Sequence, residues 1–461
     1  MRKLLVIFLV MTGLLGLYIL FNQYDLSNPK QLLFEQEIPE AKFDRQNGFY
    51  IQWGLGEPPD VDIMAEDIQA TYRRLQDTSI KEASDLKWDH SKYRAKYREN
   101  FRGEYGELRL GLKVYDARHM IREVKAAAHL LADPHPNLLV LMKRYRRMID
   151  APYYADFTKL TVDAPIPNLL AWLEAAKLYT AYNVYQAMEG NWTKGATNLL
   201  DQIDFGKRAV KGSRFLINNL IAKAVTSISI QALAGLINLK ECPADVSRLI
   251  ITRTPPIQYE EYGTRNSLIC EYIGFKDQLE TRRYISKEFP PIVNLTLKLL
   301  TQNQRTLNAL QREISKTINY EMIPPFQWEQ DMPEISRSAA GPFWWIQNPG
   351  GKIFFDRHFS PTHFKAVVLK SFRLKSYYQM LRISAYLHLH YKPETPVRAV
   401  LDEIPSNWVT DPCSGKPFIW DETKQILYSI GTDRKDDNGK LQEDTLNGDF
   451  ALPVILYVHG N

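Results

Sequence analysis

The sequence predicts a mainly α-helical protein: irregular stacked helical hairpins, solenoid-like, lying between one N-terminal transmembrane helix and a small C-terminal β-containing module. Three patterns predict it. Residues 4–22 form an apolar stretch without a charge. Between about residues 107 and 320, apolar side chains recur at i, i+3, i+4 and i+7, the spacing of one helix face. After about residue 379 the rhythm changes to turn signals and period-two alternation.

The N-terminal run extends from Leu4 to Phe21, behind Arg2 and Lys3. A helix of that length reaches about 27 Å, close to the thickness of a hydrocarbon core. The two cations favour a cytoplasmic start and an exported remainder. No small-x-small cleavage pattern follows Leu20, so residues 4–22 read as an uncleaved signal-anchor whose partner is the lipid bilayer. No second stretch of this kind is expected, so a multi-span transporter is not expected either.

At 461 residues the chain exceeds one simple core. Four regions are expected: the anchor, a mixed segment over 25–105, a helical domain over 106–378, and the module over 379–461. The 58 basic and 53 acidic residues leave a net charge of only +5. No dense Lys/Arg tract stands beside stacking aromatics, so a nucleic-acid partner is not expected. The one basic cluster, Lys143 to Arg147, reads as a solvated helix face. Cys242, Cys270 and Cys413 make no disulfide framework and no zinc spacing. Cys242 and Cys270 read either as buried thiols or as a bridge between neighbouring helices.

Within the helical domain, one helix is expected to end at Asp133-Pro134 and a second to cover Asn137–Ile149. Pro165 and Pro167 open a hairpin. Its helices carry the stripes Leu169, Trp172, Leu173, Ala176 and Ala196, Leu199, Leu200, Ile203, with Gly190-Asn191 as the turn. A third carries Ile217, Leu220, Ile221, Ala224 and Ile228. The rhythm resembles tetratricopeptide-like hairpins, without their 34-residue signature. Further helices are expected at Tyr259–Lys287, Ile292–Ile318 and Pro361–Leu389. The stretch 323–351 is rich in Pro, Gly and Trp. Its Trp344-Trp345 pair reads either as packing between helical layers or as a surface for a sugar ring or membrane interface.

The C-terminal module reads as turn, strand, turn, strand, acidic loop and terminal apolar strand. Ile426, Tyr428 and Ile430 alternate as in a half-buried strand. Asp433, Asp436, Asp437, Glu443, Asp444 and Asp449 then fall close together. Such carboxylates repel one another in a compact loop unless hydrated, paired with Arg434, Lys435 and Lys440, or neutralised by a hard cation such as Ca2+. Asp433, Asp436, Asp437 and Asp444 are the candidate metal ligands. A true EF-hand fails, because aligning Gly439 to the loop glycine puts Arg434 at the first position and Thr445 at the last.

The order Asp411-Pro412-x-x-Gly415-x-Pro417-Phe418, then Tyr428-Ser429-x-Gly431-x-Asp433, then Asp436-Asp437, resembles the C-terminal end of type II secretion major pseudopilins. That resemblance implies a helix leading into a small sheet, with a calcium ion holding the last loop. Asp433 matches the aspartate after Ser-x-Gly, and Asp436-Asp437 the later acidic pair, at a shorter spacing. It covers residues 378–450. The anchor lacks the glutamate of a pilin-type leader, so the chain is no pilus subunit. Over most of its length the chain also resembles a group of membrane-anchored helical proteins of bacteria. This implies the inner membrane, with the bulk of the chain periplasmic.

No Gly-x-Ser-x-Gly, His-Glu-x-x-His, P-loop or Rossmann pattern occurs. His388 and His390 are expected on different sides of a helix. Asp356, His358 and His363 cluster in sequence as one candidate set. The best reading is a membrane-anchored envelope protein that binds or scaffolds, its partners being other envelope proteins or cell-wall polymer. The alternative is an envelope hydrolase acting on cell-wall glycan or peptide.

Overall fold

In a computed structural model, residues 11–14, 16–20, 46–57, 59–77, 117–161, 164–257, 259–281, 290–328, 348–358, 361–440 and 448–456 are described. The protein is mainly helical, with one small antiparallel sheet near the C-terminus. After the N-terminal helical residues come α1 (Gly48–Gly54), α2 (Glu66–Asp77), α3 (Ala117–Ala126), α4 (Ala128–Ala132) and α5 (Pro136–Asp150). Then follow α6 (Leu169–Met188), α7 (Trp192–Gly212), α8 (Leu216–Ile237), α9 (Ala244–Arg253), α10 (Arg265–Glu280), α11 (Pro291–Leu299) and α12 (Asn303–Met322). The last helices are α13 (Pro349–His358), α14 (Pro361–His390), α15 (Val397–Asp402) and α16 (Ser406–Val409). The strands are β1 (Ile419–Asp421), β2 (Ile426–Ser429) and β3 (Phe450–Pro453).

The expected hairpin is present. Asn168 caps α6 by accepting from Ala171 N at 3.1 Å. Gly190 turns the chain with φ +100°. Helix α7 then returns antiparallel: Asn198 donates to Asn183 at 2.6 Å, and Gln202 to Thr180 at 3.1 Å. All four members of the α7 stripe are buried. On α6, Trp172 and Ala176 are buried, while Leu169 and Leu173 are half-buried.

Helix α8 overturns two expectations. Its predicted inner stripe faces outward at the start: Ile217 is 43% exposed, while Leu220, Ile221 and Ala224 are half-buried. Asn218, Asn219 and Lys223 point inward instead. Each has a partner that an outward position would forfeit. Asn218 donates to Asp156 at 2.9 Å, and Asn219 to the carbonyls of Val210 and Gly263, both at 3.1 Å. From Val225 onward α8 is buried on every side. Among the described residues it is the one helix long and apolar enough to cross a membrane, and most of it lies inside the protein. A fully buried core helix and a membrane span share a composition because both lack a wet face.

Helix α8 touches α6 and α7, and also α3, α10, α14 and β3. In a linear stack each hairpin meets only its neighbours. Here the hairpins pack around one central helix, where a linear, solenoid-like stack was expected. Helix α14 runs across residue 378 and shares one buried cluster with β2 and β3.

Other boundaries shift for local reasons. The single helix expected over 292–318 is two, α11 and α12. The break is held from outside: Asn348 accepts from Gln302 N at 2.8 Å, and Gly350 N donates to Leu300 O at 3.0 Å. The basic run on α5 is not one solvated face. Lys143 and Arg147 are exposed, but Arg144 and Tyr145 are buried. The Arg144 guanidinium clamps the chain after α1, donating to the carbonyls of Glu57 and Val61, both at 2.6 Å. Trp328 plugs a gap between layers: its ring packs on Tyr320 and Phe372, and its indole N–H donates to Ile323 O at 2.9 Å. Trp344 and Trp345 lie outside the described residues, as does all of 78–116.

Candidate functional site

The C-terminal module is organised by one buried carboxylate, Asp411. Its Oδ1 accepts from Ser376 Oγ at 2.8 Å and Cys413 N at 3.1 Å. Its Oδ2 accepts from Ser414 N at 3.0 Å, Ser414 Oγ at 2.7 Å and Ser429 Oγ at 2.7 Å. Ser376 lies on α14 and Ser429 on β2, so this side chain joins helix, turn and sheet. The Ser429 hydroxyl in turn accepts from Gly431 N at 3.0 Å. The two halves of the motif, Asp411-Pro-x-x-Gly and Tyr-Ser429-x-Gly, therefore meet through Asp411 and Ser429. Gly415 sits at φ +70°, and a Cβ there would come within 2.6 Å of the Phe326 ring.

The sheet has the order β1-β2-β3, antiparallel throughout, with Trp420 opposite Leu427 and Leu427 opposite Leu452. Strand β2 is covered on both faces rather than one. Leu427 joins the main core, and Tyr428 joins a small cluster with Ile430 and Ala451.

The acidic loop hangs from this sheet. The Tyr428 hydroxyl donates to Asp436 at 3.1 Å; burial first, and then Asp436, push that phenol up to about 12. Asp449, just before β3, is buried, and its Oδ2 accepts from Asp437 N at 2.9 Å and Gly439 N at 2.8 Å. Its Oδ1 is buried without a hydrogen-bond partner. Burial raises the Asp449 carboxyl above the usual range, and Asp436 and Asp437 push it further up, against the two amides. Asp436, Asp437 and Asp449 are thus electrostatic neighbours. Asp433 is not tied to them: it accepts from Lys435 N at 3.1 Å in its own turn. Asp444 and Glu443 lie outside the described residues. Among those described, no three His, Cys, Asp or Glu side chains are placed to share an ion. The orphaned Asp449 oxygen and an all-oxygen donor set do fit a hard cation such as Ca2+. Among the described residues Arg434 makes no ion pair with the loop; it donates to Pro325 O at 3.0 Å, fastening the loop to the helical body.

A second polar centre, unseen in the sequence, lies in the core. Lys223 Nζ donates to Ser371 Oγ at 2.7 Å, and Ser371 donates to Glu321 Oε1 at 3.0 Å. The other Glu321 oxygen accepts from Thr264 N at 2.6 Å and Thr264 Oγ1 at 2.7 Å. Burial pulls the Lys223 amine down to about 7; Glu321 opposes the shift, and Lys375 and Lys370 add to it. A serine beside a lysine of lowered pKa has the chemistry of a nucleophile and its base. A substrate also needs a position near both. Lys223, Ser371, Glu321 and Thr264 are all buried, and none lines the cavity of the C-terminal module described below. The chain holds α8, α12 and α14 together around the turn before α10. The signal for it was a lone cation within the most apolar helix.

Of the remaining candidates, the described side chains have structural partners or are buried. His388 is buried against Ser247 Oγ at 2.8 Å, while His390 is exposed and stacks on Tyr386, as their spacing on a helix requires. Asp356 pairs with Lys352 one turn away; the side chains of His358 and His363 lie outside the described residues. Cys242 and Cys270 are separate buried thiols, not a bridge, and burial raises each to about 12.

A cavity of about 590 Å3 lies in the module. Ile383 of α14, Leu401 of α15, and Phe418 and Trp420 at β1 form its apolar walls, and Arg398, Asp402 and Lys416 its charged lining. A volume of this size lies in the usual range for ligand sites. Compared with known proteins, the chain matches no family model, no curated protein and no solved structure.

Proposed function

We propose that this is a single-pass, membrane-anchored envelope protein whose helical body and C-terminal module bind or scaffold a partner outside the cytoplasm. The observation that carries the reading is the exposure of the N-terminal apolar helix. Met11, Leu14, Leu17 and Leu20 are 61%, 56%, 65% and 61% exposed. The other long apolar helix, α8, is buried. A continuous greasy surface of this kind has a large free-energy incentive to leave water. Lipid accounts for that surface, with Arg2 and Lys3 on the cytoplasmic side. Carbonate extraction of membranes from cells expressing the full chain tests this. The protein is expected to stay in the pellet, and its release into the supernatant would rule out the anchor.

The pseudopilin-like reading of the module extends to its acidic loop. A calcium ion there would draw Asp436 and Asp437 in toward the unpartnered Oδ1 of Asp449, a convergence they do not have in this structure, with Asp444 as a further ligand. It would supply the positive charge that Arg434, turned toward Pro325, does not. Thermal unfolding of the detergent-solubilised chain is expected to shift upward by several degrees between chelator and millimolar calcium. Identical midpoints would dispose of the ion.

A further inference from the structure

We propose that the cavity beside β1 captures an extended acidic peptide, which adds to the open edge of the sheet. This rests on the binding-protein reading above and gives the partner a chemistry. Strand β1 is the terminal strand of the sheet, paired with β2 on one side only. On its other side the chain meets it only at its start, through the Thr410–Pro417 bridge and the Phe418 N–H to Val409 O bond at 2.9 Å. Beyond Phe418 that edge continues through Ile419–Asp421, each half-buried, without a further strand among the described residues. An unpaired strand edge is a template for a strand from another chain.

The cavity adjoins this edge: Phe418, Ile419 and Trp420 line it, together with Leu427 of β2 and Ile430 just beyond it. Phe418 and Trp420 at β1, with Ile383 and Leu401 opposite, offer apolar surface to the side chains on one face of an added strand. The charges select the occupant. Arg398 and Lys416 are exposed on the cavity lining, and neither forms an ion pair among the described residues. Asp402 is the one carboxylate among the lining residues. Two free cations against one anion favour a peptide whose outward positions carry Asp or Glu. The apolar positions, alternating with the acidic ones, would face the cavity, since side chains along a strand point to opposite faces.

The test uses the full chain in detergent micelles. The probes are fluorescein-labelled, acetylated octapeptides alternating Val or Ile with Asp or Glu, read by fluorescence polarisation. Saturable binding is expected. A matched set carrying Lys in place of the acids should bind at least tenfold more weakly, as should peptides N-methylated on alternate backbone nitrogens. The double variant Arg398→Glu with Lys416→Glu should also lose at least tenfold, with an unchanged melting temperature because both side chains are exposed. If the double variant fails to fold, the N-methylated peptides on the unaltered chain still decide the matter. Absence of saturable binding by every acidic octapeptide would overturn the proposal, as would equal affinity for the lysine set or indifference to N-methylation. Retention after carbonate extraction is independent of these residues, so the anchor and the peptide site fail separately.

Discussion

Asp411→Ala is expected to remove about 3–5 kcal/mol of stability, the scale of stranding several buried donors and breaking a charged hub. Asp411 accepts five hydrogen bonds, from Ser376, Cys413, Ser414 (two) and Ser429. Truncation leaves two buried amides and three hydroxyls facing an apolar gap. The hydroxyls can rotate, but the Cys413 and Ser414 amides are fixed by the turn. The loss should be concentrated in the module. Hydrogen exchange should accelerate across residues 410–431, while α6 and α7 keep their protection. Denaturant unfolding followed by tryptophan fluorescence gives the total. A loss below about 1 kcal/mol would mean that Asp411 is not the hub.

Lys223→Met is expected to stabilise the protein near pH 6 by on the order of 2–5 kcal/mol. The gain should shrink as pH rises from 7 and disappear above about 10.5. Lys223 titrates near 7 in the folded protein, against an ordinary value of 10.5. Below 7 both folded and unfolded states carry the proton, and the folded state bears the full cost of a buried charge. Between 7 and 10.5 the unfolded chain holds more protons, so stability attributable to this group rises with pH. Above that range both states are neutral and the cost is gone. Methionine keeps the unbranched shape, and Ser371 still donates to Glu321. Unfolding free energies of both proteins from pH 6 to 10.5 decide this; a difference that does not change with pH would show that Lys223 keeps its charge throughout.

Reading the sequence worked where burial follows apolar spacing. The α6–α7 hairpin, the extent of α5, the length of α14 and the alternation that became β2 were all legible, because each reflects a local pattern. It failed where polar side chains go inside. The apolar stripe starting at Ile217 pointed one way, and the structure turned α8 so that Asn218, Asn219 and Lys223 face the core. The single helix expected over 292–318 broke because Asn348, more than 40 residues downstream, satisfies the broken backbone. Neither outcome could be read locally, since the partners lie far along the chain.

The same division runs through the candidate sites. The acidic run was visible as composition, and the Asp-Pro and Tyr-Ser signatures as motifs. Their meeting was not visible. Asp449 emerged as the buried acceptor of the loop, Asp433 was left in its own turn, and Arg434 turned to Pro325 rather than to its acidic neighbours.

By itself, the sequence determined a mainly helical chain with a small C-terminal sheet, because helix and strand periodicities are written residue by residue. Only the tertiary structure decided which helix sits at the centre and which carboxylate joins the module. Those outcomes depend on desolvating polar groups, and a buried polar group is stable only beside a partner that folding brings from elsewhere.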